Sequence, residues 1–236
     1  MDQKEFEQYL LNICPWVSQD TFDKFTTYKQ TLQHYNQQMN LSRLVSDDKI
    51  YDQYFLASLL PFTKLDYFSS DINLSLLDIG TGSGIPGIVL KIIYPHLNVT
   101  LVEASAKKCK FLKIILDLLH LDDVTLVNQR CEEYIKNHRE SFDLVTSRAV
   151  SSLNKILELS APFAKVDGHI IALKSQNYLM ELSESQNAIQ ILDLSLSITI
   201  NYNFANHTHV VLDFQKKQIT NKIYPRNWQK IVSKPL

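Results

Sequence analysis

Glycine is scarce in this chain. Its 236 residues hold five, and four of them, Gly80, Gly82, Gly84 and Gly87, fall within eight positions. No internal repeat or low-complexity segment is present, so the cluster marks one specialised loop. Cysteine is equally sparse. Cys14, Cys109 and Cys131 are odd in number and lack metal-ligand spacing, which excludes a disulfide framework and leaves no metal site to expect. They read as small buried hydrophobes in a protein of a reducing cytosol. Charge of one sign is lacking too: the net charge of −1 selects no partner for the molecule as a whole. No apolar run approaches the length of a membrane span. The opening MDQKEFEQYL is acidic and amphipathic, unlike a signal peptide, so a cytoplasmic location without membrane contact is expected.

What is present is one medium domain's worth of core, with 45% hydrophobic residues and 21% charged. The charge is unevenly placed. Residues 1–79 hold 11 acids against 6 bases, whereas residues 214–236 hold six bases and no acid. That basic stretch carries Tyr224 and Trp228 among its cations. It reads either as a nucleic-acid contact, with cations on phosphates and aromatics on bases, or as a solvated face.

Three regions follow from the hydrophobic pattern. Residues 3–60 keep helical spacing at Phe6, Tyr9, Leu10 and Ile13 and again at Phe25, Tyr28 and Leu32, with Ser18 and Ser46 as candidate caps. From Leu74 short β-rich runs alternate with helical ones. Strands are predicted at 74–79, 98–103, 123–128, 142–147 and 169–174, and helices at 85–94, 105–120, 131–138, 151–164 and 176–190. This alternation predicts an α/β fold, a mostly parallel sheet with helices on both faces. Two further runs, 195–201 and 208–214, have no helix between them and read as a closing antiparallel hairpin. The expected division is a helical extension over 1–70 packed on the core, an α/β core over 71–215, and a basic tail over 216–236.

In such a fold the ligand sits at the carboxyl ends of the strands. There Leu76-Leu77-Asp78-Ile79 runs into the glycine loop, with Pro86 suited to the first turn of the next helix. Glu103 closes the next strand, where an acid suits the two hydroxyls of a ribose. The pair predicts an adenosine-containing cofactor. Gly82-Ser83-Gly84-Ile85-Pro86-Gly87 matches a dinucleotide fingerprint, yet an acid just before the turn would repel a pyrophosphate. Asp78 suits the ammonium and sulfonium of S-adenosylmethionine instead; a helix-capping role is its plainer alternative. The closing hairpin also favours a methyltransferase over a nicotinamide oxidoreductase.

These residues, with Lys107-Lys108, Arg130-Cys131-Glu132, Ser147-Arg148-Ala149 and Ala172-Leu173-Lys174, closely resemble the RsmG (GidB) family. Its members are bacterial methyltransferases acting on guanine N7 in 16S ribosomal RNA. The resemblance runs from about Tyr35 to the Tyr224-Pro225-Arg226 and Lys234-Pro235-Leu236 of the basic stretch. It implies a Rossmann-like class I methyltransferase fold, S-adenosylmethionine as cofactor, and the small ribosomal subunit as partner of a monomer. It further implies a cofactor pocket of Gly80, Gly82, Ile85, Glu103, Cys131 and Glu132, which joins the Asp78 expected there from the cofactor's charge. Arg148 would orient cofactor or substrate, unless it is a structural ion pair. Asn40, Arg130, Lys174 and Arg226 are the expected RNA contacts; for Arg130 a surface salt bridge is an equal alternative. The lysines at 107, 108, 110 and 113 suit RNA or a solvated face equally.

The chemistry agrees with the resemblance. After the fourth strand stands Thr146-Ser147-Arg148-Ala149, without the Asn/Asp-Pro-Pro-Tyr/Phe clamp of many amino-group methyltransferases. No cysteine other than Cys131 is placed as a nucleophile for pyrimidine C5. Guanine N7 needs neither device, because its lone pair is already nucleophilic and bears no proton. One departure stands out. Where the family carries His-x-x-Asp-Ser, this chain reads Tyr54-Phe55-Leu56-Ala57-Ser58. The change puts rate or target choice in doubt and leaves a non-catalytic RNA-binding homologue as an alternative. A small-molecule methyltransferase is disfavoured by the basic stretch.

Overall fold

The computed structural model describes residues 1–42, 46 and 49–236. Part of the predicted 3–60 helical region, at 43–45 and 47–48, therefore lies outside the described residues. Helix α1 spans Gln3–Ile13 and opens on a capping box: Asp2 accepts from the Glu5 N–H while Glu5 accepts from the Asp2 N–H. Helix α2 spans Gln19–Met39 from Ser18 as its N-cap and ends at Asn40 in the left-handed conformation. A π-helical segment, Ile50–Leu56, continues into one α-turn, Ala57–Leu59. The Ser46 carbonyl accepts from the N–H groups of Lys49 and Ile50 just before it.

The sheet has seven strands in the order β3-β2-β1-β4-β5-β7-β6. They are β1 Ser75–Ile79, β2 Asn98–Val102, β3 Val124–Val127, β4 Phe142–Arg148, β5 Ala164–Lys174, β6 Leu194–Phe204 and β7 His207–Lys216. The first five pair in parallel, and β7 enters antiparallel between β5 and β6. The parallel sheet with a closing hairpin thus stands as the sequence predicts. The hairpin turns at Ala205 and Asn206, with φ of 50° and 62°, the geometry of a two-residue turn that matches strand twist.

The intervening helices are α3 Gly87–Ile93, α4 Ala106–Leu119, α5 Cys131–Tyr134, α6 Leu153–Ser160, α7 Tyr178–Glu184 and α8 Gln186–Ile191. Strand alternation splits the apolar interior in two. Leu76, Val99, Leu101 and Leu144 face one core with Phe6, Phe25, Phe55 and Ile88. Leu77, Ile79 and Val145 face the other with Leu157, Phe163 and Ala188. The N-terminal helices therefore form part of one covering layer of the sheet.

Three local expectations are revised. Helix α6 ends at Ser160 rather than 164, because Pro162 has no N–H to continue it. Strand β5 begins at Ala164 rather than 169, with a register break against β4 and Asp167 at φ 64°. The predicted 176–190 helix is two, divided at Ser185, whose hydroxyl donates to the Glu181 carbonyl.

The basic stretch is not loose. A helix absent from the sequence reading, α9 Trp228–Ser233, is capped by Asn227, and its Ile231 is wholly buried. Asn227 before Trp228 and Ile231, three apart, is the signal that marks it. Two of the six cations are spent inside the fold, Lys216 on Glu140 and Arg226 on Glu158, while Lys217, Lys222, Lys230 and Lys234 are exposed.

Candidate active site

The glycine loop follows β1 and leads into α3. Gly80 and Gly82 take φ of 66° and Gly84 takes 103°, a region that side chains rarely enter. Gly84 also has no room, since a Cβ there would stand 2.7 Å from the Tyr28 hydroxyl and 2.5 Å from Ile88 Cδ1. The loop is held from within by Asp78, whose Oδ2 accepts from Thr81 Oγ1 at 2.6 Å and from the Gly87 N–H at 2.9 Å. That is the capping geometry weighed as its plainer role. Its other oxygen, Oδ1, is buried with no partner among the described residues. Burial pushes the carboxyl up to about 6, against the pull of Thr81 and Gly87.

From outside, two tyrosines grip Ser83. Tyr28 donates to its carbonyl at 2.6 Å and Tyr54 to its hydroxyl at 2.6 Å. Tyr28 reads from the sequence as an apolar position of α2, and nothing in the pattern marks its hydroxyl. Tyr54 thus fastens the helical layer to the loop.

Glu103 stands buried at the end of β2. Its Oε2 accepts from the Gly82 N–H at 2.9 Å, and its Oε1 from the Ser105 N–H at 2.8 Å. Each oxygen keeps a second lone pair. Glu103 and Gly80 line a cavity of about 140 Å³ together with Arg130, Cys131, Glu132 and Trp228. Arg130, expected as an RNA contact or a surface salt bridge, stands at this cavity as the N-cap of α5. The Cys131 thiol lies 3.2 Å from the Glu132 carboxylate, and burial together with that acid holds it protonated. A thiol in that state is a poor nucleophile. Gly82 joins the cavity through its bond to Glu103, while Ile85 packs half-buried against the N-terminal core.

Arg148 ends β4 and reaches back to the π-helical layer. Its Nη2 donates to the Gln53 carbonyl at 2.9 Å, and its Nη1 to the Tyr54 carbonyl at 3.3 Å and to the Ser58 hydroxyl. All three partners are neutral, so the structural ion pair considered for Arg148 is replaced by a carbonyl clamp. Among the described residues no carboxylate offsets its charge, and burial lowers its pKa from the usual arginine value. This clamp orients the guanidinium.

Arg148 lines a second cavity, of about 640 Å³, with Ala57, Lys174, His207 and His209. Lys174 Nζ donates to Glu181 at 2.7 Å and to the Ser151 carbonyl at 3.1 Å. The histidines come from the hairpin and carry no sequence signal beyond following its turn. Ala149 walls the larger cavity and Val150 the smaller, so the two are neighbours across one peptide. Asn40 and Arg226 line neither cavity. Asn40 is an exposed helix terminus in the left-handed conformation that asparagine tolerates. Arg226 is committed to Glu158 through its backbone N–H and two guanidinium nitrogens, at 2.9, 2.8 and 2.6 Å.

Comparison with known proteins identifies the family. The family model GidB, described as rRNA small subunit methyltransferase G, matches residues 21–210. A "Ribosomal RNA small subunit methyltransferase G" of Ureaplasma parvum is 48% identical over the whole length of both chains. One of Malacoplasma penetrans is 44% identical over 92% of this chain and 91% of its own. Among solved structures, M. jannaschii TYW2 in complex with AdoMet aligns at TM-score 0.54 and 16% identity, over 68% of this chain and 76% of that one. Aeropyrum pernix fibrillarin with natively bound S-adenosyl-L-methionine aligns at TM-score 0.53 and 13% identity, over 67% and 73%. At such identities the likeness is one of fold. The family model and the full-length relatives settle the assignment: the chain belongs to the rRNA small subunit methyltransferase G family.

Proposed function

We propose that this chain transfers the methyl group of S-adenosylmethionine to N7 of a guanine in the 16S ribosomal RNA of the small subunit. Family membership makes it an S-adenosylmethionine-dependent methyltransferase, and the residues present suit that cofactor. Gly80, from a loop of left-handed glycines, and the Glu103 carboxylate at the end of β2 line the smaller cavity. Asp78, buried under that loop, leaves Oδ1 without a partner among the described residues. The cofactor supplies an activated methyl on a sulfonium. In this reading Glu103 holds the ribose hydroxyls, Asp78 favours the positive end, and Gly80, Cys131 and Glu132 frame the nucleoside.

One observation carries the substrate side. The guanidinium of Arg148, without a carboxylate partner among the described residues, opens into the larger cavity, one peptide away from the cofactor side. An arginine so placed matches a phosphate or a guanine edge bidentately. The wall around it offers Lys174, already neutralised by Glu181, and two hairpin histidines. N7 attack forms the N–CH₃ bond as the S–CH₃ bond breaks, and no proton has to leave the base. The chain's task is then to position the two reactants, a task worth many orders of magnitude. Lys174, Asn40 and the exposed cations of the C-terminal stretch remain proposed RNA contacts. Arg226 is better read as an anchor.

The test is incubation of the purified chain with S-adenosylmethionine and small subunits that lack the modification, followed by nucleoside analysis. N7-methylguanine is expected. RNA binding without methyl transfer would favour the non-catalytic alternative. Tighter binding of NADH than of S-adenosylmethionine in calorimetry would revive the oxidoreductase.

A pH dependence follows from Asp78. Its unliganded carboxyl titrates near 6, above the usual 3.8, and a bound cation favours its charged form. Binding therefore displaces a proton at acid pH. Affinity is expected to be level above about pH 6 and to fall about tenfold per unit below it. Calorimetry across about pH 5 to 7 checks this. Asp78→Asn keeps an acceptor for Thr81 and Gly87 but should bind weakly with no pH slope. A flat wild-type profile would uncouple Asp78 from the cofactor.

A further inference from the structure

The cavity at Gly80 and Glu103 is completed by a residue from far along the chain. Trp228 lines it beside Ile79, Val102, Val150 and Leu159, and is itself half-buried. The segment that brings it there is fastened at three points. Arg226, two residues before it, makes three hydrogen bonds to Glu158, the neighbour of Leu159 in α6. Arg139 donates to the carbonyls of Thr220, Asn221 and Tyr224. Ile231, three residues after Trp228, is wholly buried. Aliphatic side chains and one indole around a slot with polar groups at its rim suit a planar purine, apolar on its faces and polar at its edge.

We propose that Trp228 packs against the adenine of S-adenosylmethionine, which makes the helix that carries it a wall of the cofactor site. The proposal rests on the methyltransferase reading for the identity of the nucleoside, and on the cavity alone for the place of the indole. Both aromatic and anchor then belong to one device: the Arg226–Glu158 pair sets the distance between the last helix and α6, and the slot lies between them.

The experiment is titration of the full chain with S-adenosylhomocysteine by calorimetry, for wild type, Trp228→Ala and Trp228→Phe. Loss of base–aromatic contact is expected to weaken binding about tenfold or more in Trp228→Ala. Trp228→Phe should recover most of it. In a Trp16→Phe background Trp228 is the sole indole, and its emission should shift saturably with ligand. Filter binding of small-subunit RNA should be the same for wild type and Trp228→Ala. Equal cofactor affinity in a folded Trp228→Ala chain, or an indole emission indifferent to ligand, overturns the proposal and leaves the enzymatic reading standing. So does lost RNA binding with cofactor binding kept. A wild-type chain that takes up no S-adenosylhomocysteine overturns both.

Discussion

Arg148→Ala is expected to lower methyl transfer by about a hundredfold or more, with affinity for the cofactor nearly unchanged. The separation follows from where the guanidinium sits. It lines the larger cavity with Lys174 and the hairpin histidines, while Gly80 and Glu103 line the smaller one. Misplacing a bound reactant by about 1 Å is enough for a loss of about 10². The same side chain ties β4 to Gln53, Tyr54 and Ser58, so its removal also loosens the helical layer. Arg148→Lys separates the two effects. Lysine keeps the charge, yet a point ammonium cannot hold Gln53 and Tyr54 and still present a planar fork to a ligand. It should preserve most of the thermal stability and restore little activity. Single-turnover transfer and cofactor calorimetry on both variants check this; equal transfer in Arg148→Lys and wild type would remove the fork from the account.

Arg226→Ala is expected to lower the thermal midpoint on the order of 10 °C. Glu158 is wholly buried and receives three donors from Arg226, whose side chain is 14% exposed. Without the guanidinium an unneutralised carboxylate is left in the core, a change that costs about 3–5 kcal/mol. For a domain of this size each kcal/mol moves the midpoint by about 2–4 °C. Replacing both partners, as Arg226→Met with Glu158→Leu, removes the stranded charge and should recover much of the loss. Calorimetric melts of the two single variants and the double one read the result. An unchanged midpoint in Arg226→Ala would return Arg226 to a solvated arm and undo its role as anchor.

How far the sequence could be read depended on whether a residue's meaning was local. The β1 strand, the glycine loop and Glu103 were legible because each carries its own chemistry: an apolar run, residues free to take positive φ, an acid at a strand end. The alternating strands were legible for the same reason, down to the closing hairpin. Contacts set by tertiary packing were not. Arg226 looks like a cation in a basic stretch, and only folding brings Glu158 to it from 68 residues away. Trp228 reads as one aromatic of a basic stretch, and only folding sets it in the wall of the cavity at Glu103. Tyr54 in place of histidine looked like a loss, yet its hydroxyl pins Ser83 and its carbonyl holds Arg148. The register break that starts β5 early left no mark because Asp167 takes a conformation more usual for glycine beside a real glycine, Gly168.

The central claim is that this chain places a methyl group on N7 of a guanine in the small-subunit RNA. Its most direct test is to map N7-methylguanine along 16S ribosomal RNA from cells with the protein, cells without it, and cells carrying Arg148→Ala. The account predicts one modified guanine present in the first and missing from the other two. The same modification in all three maps would contradict it.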